Sequence, residues 1–328
     1  MSDWQYKEGG ARWNYLKQHL LDLFAEPVYK IGVDAGFDCP NRDGSKAFGG
    51  CAYCSQEGSL ASQQDPKLGL IEQIKKGQDF NKHRYGAKKY IAYFQAFTNT
   101  YAPVSVLRER FEAAFIDDSI VGLSVASRPD CINEDNIGYL AELAERLPFF
   151  TVELGLQSVY QNRLKWVNRQ ETVEDYEKAM ELLNKHKVKV VTHVILGFPG
   201  ESIQEMEDTV FLADRLGSAG IKLQMLHVIK ATKLAHRFLK EPFKLMDEKE
   251  YLKLIVHLVE RLSPGIVIHR ITGETERSKL IEPKWVHFKT RFFNAFHQEL
   301  RDRNSFQGKF YSDQGHKKQS PVSAGQLQ

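Results

Sequence analysis

At 328 residues and 42% hydrophobic content, the chain can hold one large α/β domain or two modest ones, with ample material for a core. A formal net charge of +3 excludes wholesale coating of nucleic acid, though local basic patches are compatible with it. Four cysteines, three of them clustered, exclude a secreted disulfide framework; with no signal-like or bilayer-length apolar run, the sequence predicts a cytoplasmic protein with free thiols and no membrane partner.

Taken in chain order, Trp13, Leu16, Leu20 and Phe24 fall at helical spacing and predict an amphipathic helix within 1–27. Short apolar runs at 28–33, 89–94, 120–125, 149–156, 188–196 and 221–228 predict strands, with helices beginning near Leu68, Val104, Glu134, Val173 and Ser202. Repeated strand–helix units are the pattern of a parallel sheet with right-handed crossovers. Six units are too few for a closed eight-fold barrel, so the expected α/β fold is an open, partial (β/α)6 barrel over 28–272; a flat doubly wound sheet has the same pattern. One more strand is expected at 266–271. From 273 to 311 the chain is basic and aromatic, and Trp285, Phe288, Phe292 and Phe296 at helical spacing predict a C-terminal helical extension packed on the core. Residues 312–328, rich in Ser, Gln, Gly and Lys, read as a disordered tail.

Cys39, Cys51 and Cys54 lie on one glycine-rich loop. Structural zinc takes four protein ligands and iron–sulfur clusters usually take four cysteines. Three thiolates would leave one iron of a cubane open to a substrate or cofactor. The competing reading is a zinc knuckle with a fourth ligand from Cys131 or a histidine. Cys131 by itself reads as a small buried hydrophobe.

The spacing Cys-x11-Cys-x2-Cys, with Tyr53 before the last cysteine, resembles the cluster loop of radical S-adenosylmethionine (SAM) enzymes. The long first gap is that of the YhcC/YtqA-type subfamily, related to the catalytic subunit of Elongator. The likeness continues through Tyr-Phe-Gln-Ala-Phe-Thr-Asn-Thr-Tyr-Ala at 93–102, Ser-Arg-Pro-Asp-Cys at 127–131 and Val-Glu-Leu-Gly-Leu-Gln-Ser at 152–158. It then takes in Gly-Phe-Pro-Gly-Glu at 197–201, His-Val-Ile-Lys at 227–230 and Ile-His-Arg-Ile-Thr-Gly at 268–273.

This resemblance implies one 4Fe-4S cluster on the three cysteines and SAM chelated to the open iron, giving methionine and a 5′-deoxyadenosyl radical. Relatives place a glycine-rich run after the second strand to receive the SAM amino group. The corresponding run here is Gln95-Ala96-Phe97-Thr98, which implies contacts from its carbonyls and Thr98 despite the lost glycines. The Gly-Val-Gln and Val-Asn-Arg motifs of coproporphyrinogen-oxidase-like relatives match Gly155-Leu156-Gln157 and Val167-Asn168-Arg169, implying Gln157 and Arg169 in the SAM pocket. The ribose-binding acid falls at Ala126, so Arg128 or Glu153 is expected to compensate. As a buried carboxylate, Glu153 also needs a partner.

Gly197 reads as a close approach to adenine or ribose, or as a tight turn with Glu201 near a helix start. His193, His227, Lys230, Arg270 and Thr272 fall at the predicted rim; Lys230 and Arg270 are the expected anion contacts. The subfamily's likeness implies a tRNA substrate. The implied reaction converts 5-carboxymethylaminomethyl(-2-thio)uridine at the wobble position to the 5-aminomethyl form, with a reductant such as flavodoxin or ferredoxin. Radical chemistry on another tRNA position or a small metabolite is the alternative, and a non-catalytic metal- or RNA-binding protein is the alternative from another class.

Overall fold

The computed structural model describes residues 4–58, 65 and 67–312; of the expected tail at 312–328, all but Ser312 lies outside them. Seven strands form one parallel sheet: β1 (Val28–Val33), β2 (Lys89–Phe94), β3 (Ile120–Ser127), β4 (Phe149–Gln157), β5 (Val190–Leu196), β6 (Gly220–Met225) and β8 (Val267–Arg270). Each pairs with the next in that order, and β1 and β8 remain the two edges of an open half-barrel. The flat doubly wound alternative is thereby excluded, because its strand order reverses at a switch point. The run expected at 221–228 divides in two. β6 stays in the barrel, and β7 (Val228–Ile229) turns away to pair antiparallel with β9 (Leu280–Glu282).

The strands alternate, and the alternation sorts the two faces. Ile31, Phe94, Leu123, Val152, Val194 and Leu223 belong to one continuous core under the helices. Their neighbours Lys30, Tyr93, Glu153, His193 and Lys222 line a cavity on the concave face. The covering helices are α2 (Leu70–Tyr85), α3 (Val104–Glu112), α4 (Glu134–Arg146), α6 (Val173–Lys185), α7 (Ile203–Arg215) and α9 (Glu248–Arg261). Thr172 with Asp175, Ser202 with Glu205 and Asp247 with Glu250 form capping boxes that start three of them.

At the N-terminus, helix α1 (Leu16–Phe24) begins three residues after Trp13. Trp13 instead packs edge-on against Phe296, with ring centroids 5.4 Å apart. The C-terminal helix α10 (Lys289–Asp302) is shorter than the aromatic spacing predicts: Trp285 sits in a 3-10 turn and Phe288 is exposed at the helix entry. Phe292, Phe296 and Leu300 carry its buried stripe. Two short helices, α5 (Gln161–Trp166) and α8 (Lys233–Lys240), flank the cysteine loop. Among the described residues no helix is long and apolar enough to cross a membrane.

Candidate active site

Cys39, Cys51 and Cys54 all line a cavity of about 610 Å3 over the carboxyl ends of the strands. Their loop is fastened from both sides. Ala52 N donates to Val167 O at 2.7 Å, Asn41 Nδ2 to Asn168 O at 2.6 Å, and Asn168 Nδ2 to Gly50 O at 3.0 Å. On the other side Leu234 N of α8 donates to Ala52 O at 2.8 Å. The Val-Asn-Arg motif is therefore physically coupled to the cysteine loop.

Cations and amides point at the sulfurs: Arg42 Nη2 lies 3.2 Å from Cys54 Sγ, Asn41 Nδ2 3.4 Å and Arg169 Nη1 3.7 Å from Cys51 Sγ. Hydrogen-bond donors on ligating sulfurs tune a bound cluster. Cys131 stands apart in chemistry. Burial and the neighbouring Asp130 push its thiol well up, and Sγ contacts Asp130 Oδ1 at 3.6 Å. Among the described residues no three His, Cys, Asp or Glu side chains gather tightly enough for a single ion. A cubane, whose irons sit at separate corners, asks for wider spacing of its cysteines.

The buried polar atoms that lack hydrogen-bond partners among the described residues include Gln157 Oε1 and the Tyr53 hydroxyl, both from residues lining the cavity. A buried orphan acceptor calls for a ligand. Gln157 stands at φ 65° after a register shift at the end of β4, and Phe97, Asn168 and Gln170 share the left-handed region at 62°, 54° and 55°. Strain of this kind gathers at functional sites. Phe97 holds the turn that relatives build with glycine. It is pinned by Asn99 Nδ2, which donates to the carbonyls of Phe94, Ala96 and Ala126 at 2.9–3.0 Å. Gln95 and Thr98 line the cavity beside it.

Arg169 is buried against Glu171, which also faces Arg128 Nη2 at 3.2 Å. Burial raises the Glu171 carboxyl to about 7 against the pull of the two arginines. Arg128 is taken up by the protein: its guanidinium binds Asp130 at 2.8 and 2.9 Å and the carbonyls of Arg169 and Gln170. It holds the 169–171 turn. Gly197 does not line the cavity. Its amide and that of Phe198 donate to Glu201 Oε2 at 2.7 and 3.0 Å, and a Cβ there would meet Met246 at 3.0 Å, so the tight-turn reading describes it.

Glu153, 1% exposed, finds the partner that burial demands several times over. Lys30 Nζ and Ser124 Oγ donate to Oε1 at 2.8 and 2.9 Å; His193 Nε2 donates to Oε2 at 2.7 Å, and Lys222 Nζ bonds the same oxygen. Burial opposes its ionisation, but Lys222, Lys30 and His193 outweigh this and hold the carboxyl well below the usual range. Burial and Lys222 lower His193 to about 4, so its imidazole is neutral at neutral pH. Arg270 and His227 line the cavity, whereas Lys230 is exposed and outside its lining and Thr272 bonds the Gly273 carbonyl. Sequence reasoning missed Lys30, Tyr93 and Lys222. The available signal was a lone lysine alternating with apolar residues in each of two strands.

The Radical SAM superfamily model matches residues 42–213, and the Radical_SAM C-terminal domain model matches 218–302. YtqA of Bacillus subtilis is 39% identical over 93% of this chain and 95% of its own length. A tRNA uridine(34) acetyltransferase of Methanocaldococcus infernus is 30% identical over 49% of this chain, which spans 30% of that protein. The solved structure of an N-terminally truncated archaeal Elp3 from the same organism superposes with a TM-score of 0.63 at 18% identity. That match covers 85% of this chain and 64% of the other, and it supports the half-barrel fold.

Proposed function

Because the chain belongs to the radical SAM superfamily, we propose that it acts on the tRNA wobble uridine, converting 5-carboxymethylaminomethyl(-2-thio)uridine to the 5-aminomethyl form. Its cofactors are a 4Fe-4S cluster and SAM. When bound, they supply a 5′-deoxyadenosyl radical able to attack an unactivated C–H bond. The donors on the cysteine sulfurs and the orphaned Gln157 Oε1 in the cavity beside them fit that pair.

One observation carries the reading. A single cavity runs from the three cysteines, past Gln157 and Arg169, to a floor of basic side chains that ends at Arg270. In this reading the cysteines hold the cluster, and Gln157, Arg169, Thr98 and the Gln95 segment orient SAM. Arg128 and Glu153 act by fixing their neighbours, and Gly197 shapes the strand-to-helix turn. Arg270 faces the substrate from the cavity wall, while exposed Lys230 meets tRNA from outside the cavity. The likeness to a tRNA uridine(34) enzyme over half the chain supports tRNA as the substrate. A low-potential donor such as flavodoxin or ferredoxin is the partner the chemistry requires.

The test is the nucleoside content of total tRNA with and without the gene. Loss of the protein is expected to accumulate carboxymethylaminomethyl-uridines and deplete the aminomethyl form. Unchanged wobble nucleosides would remove this substrate.

A further inference from the structure

The floor of the cavity carries more positive charge than its own carboxylate balances. His193, Lys222 and Arg270 are register partners on β5, β6 and β8, and all three line the cavity. Facing them is Glu153, whose Oε1 is occupied by Lys30 and Ser124 and whose Oε2 is shared by His193 and Lys222. Lys222 is 5% exposed, and its Nζ also lies 3.1 Å from the Tyr93 hydroxyl. The carboxylate beside Arg270, that of Glu274, lies 3.6 Å away and is held more closely by Lys289 at 2.7 Å. Buried cations with incomplete counter-charge are costly, and an anion relieves the cost. Burial, with Lys30 and Arg270, pulls Lys222 down to about 7 in spite of Glu153.

We propose that this floor is a carboxylate-binding site, in which Lys222 and Arg270 together receive a carboxylate of the substrate while Glu153 and Lys30 hold Lys222 in place. The assignment rests on the wobble-uridine reading, where the group received is the carboxylate of the carboxymethyl arm. It transfers recognition from the exposed Lys230 to the buried Lys222. A singly charged group suits the site better than a phosphate dianion, because Glu153 faces the same point and a second negative charge would stand against it.

The test uses reconstituted protein saturated with SAM and left unreduced, so that nothing turns over and SAM's own carboxylate is already placed. Propionate and its neutral counterpart propionamide are titrated against the thermal midpoint of wild type, Lys222→Met and Arg270→Gln. Anticodon stem-loops carrying the carboxymethylaminomethyl or the aminomethyl uridine are titrated in parallel by fluorescence anisotropy. Propionate, and not propionamide, is expected to raise the midpoint in wild type alone. The carboxylate-bearing stem-loop is expected to bind about tenfold tighter to wild type, with the preference lost in both variants.

Affinity for the stem-loop lacking the carboxylate, and for SAM, stays at the wild-type level in a variant that is folded; Lys222→Arg, which keeps the charge, retains the preference. A preference that survives both substitutions overturns the site and leaves the wobble-uridine reading standing. A propionate effect abolished in both variants, with no stem-loop preference in wild type, upholds the site and removes that reading. No response to propionate or to the carboxylate-bearing stem-loop overturns the site.

Discussion

Arg169 occupies the space that a side chain at Gly155 would need: a Cβ there would lie 2.6 Å from Arg169 Nη2 and closer still to Gln157 Nε2. Arg169 Nη2 in turn donates to the Gly155 carbonyl at 3.0 Å. The glycine of the Gly-Leu-Gln motif is thus the seat of both side chains assigned to SAM.

Gly155→Ala should therefore act as a SAM-site variant although residue 155 offers no side chain to the ligand. Overpacking at such a contact costs about 1–3 kcal/mol. SAM affinity, measured by equilibrium dialysis, should fall about tenfold or more, with iron content near wild type. Wild-type SAM affinity in Gly155→Ala would contradict the placement of Gln157 and Arg169.

The cysteines divide by chemistry. Replacing Cys39, Cys51 or Cys54 with alanine should abolish the cluster absorbance and the roughly four irons per chain that three-cysteine ligation of a cubane implies. Cys131→Ala should leave both intact, because its buried thiol is pushed away from ionisation. Iron loss in Cys131→Ala would make it a ligand.

Removing Glu153 should be worse than removing Lys222. Glu153→Gln leaves buried Lys222 and half-buried Lys30 without their common counter-charge, a loss of about 3–5 kcal/mol. Lys222→Met leaves Glu153 still bonded to Lys30, Ser124 and His193, so its cost in urea unfolding should be smaller. The reverse order would show that Lys222, not Glu153, anchors the network.

Lys222 also sets a pH dependence. It faces Lys30, Glu153, His193, Arg270, His269 and Tyr93, and its folded value of about 7 lies below its ordinary 10.5. Between those values the unfolded chain holds a proton that the folded one has released, so this residue makes stability rise with pH across that window. Urea midpoints followed from pH 7 to 10 should climb more in wild type than in Lys222→Met. Parallel profiles would mean that Lys222 titrates normally.

The motif-bearing residues were the legible part of the site, because cysteine spacing and the Gln157 and Arg169 motifs are local in sequence. The half-barrel was legible for a similar reason, since alternating apolar runs and helices recur along the chain. What escaped was long-range. Lys30 and Glu153 are 123 residues apart, and no local pattern reports that they meet. Trp13 and Phe288 misled for a related reason: each falls at helical spacing, yet Trp13 packs on Phe296 and Phe288 stays at the surface. The expected contact Lys230 lies just past a break between β6 and β7 that the unbroken apolar run at 221–228 conceals, and it is exposed.

The most direct measurement combines anaerobically reconstituted protein, SAM, dithionite and tRNA carrying 5-carboxymethylaminomethyluridine, with both products quantified together. The account predicts 5′-deoxyadenosine rising with 5-aminomethyluridine as the carboxymethylaminomethyl nucleoside disappears. Steady release of 5′-deoxyadenosine with the wobble nucleoside unchanged would contradict it.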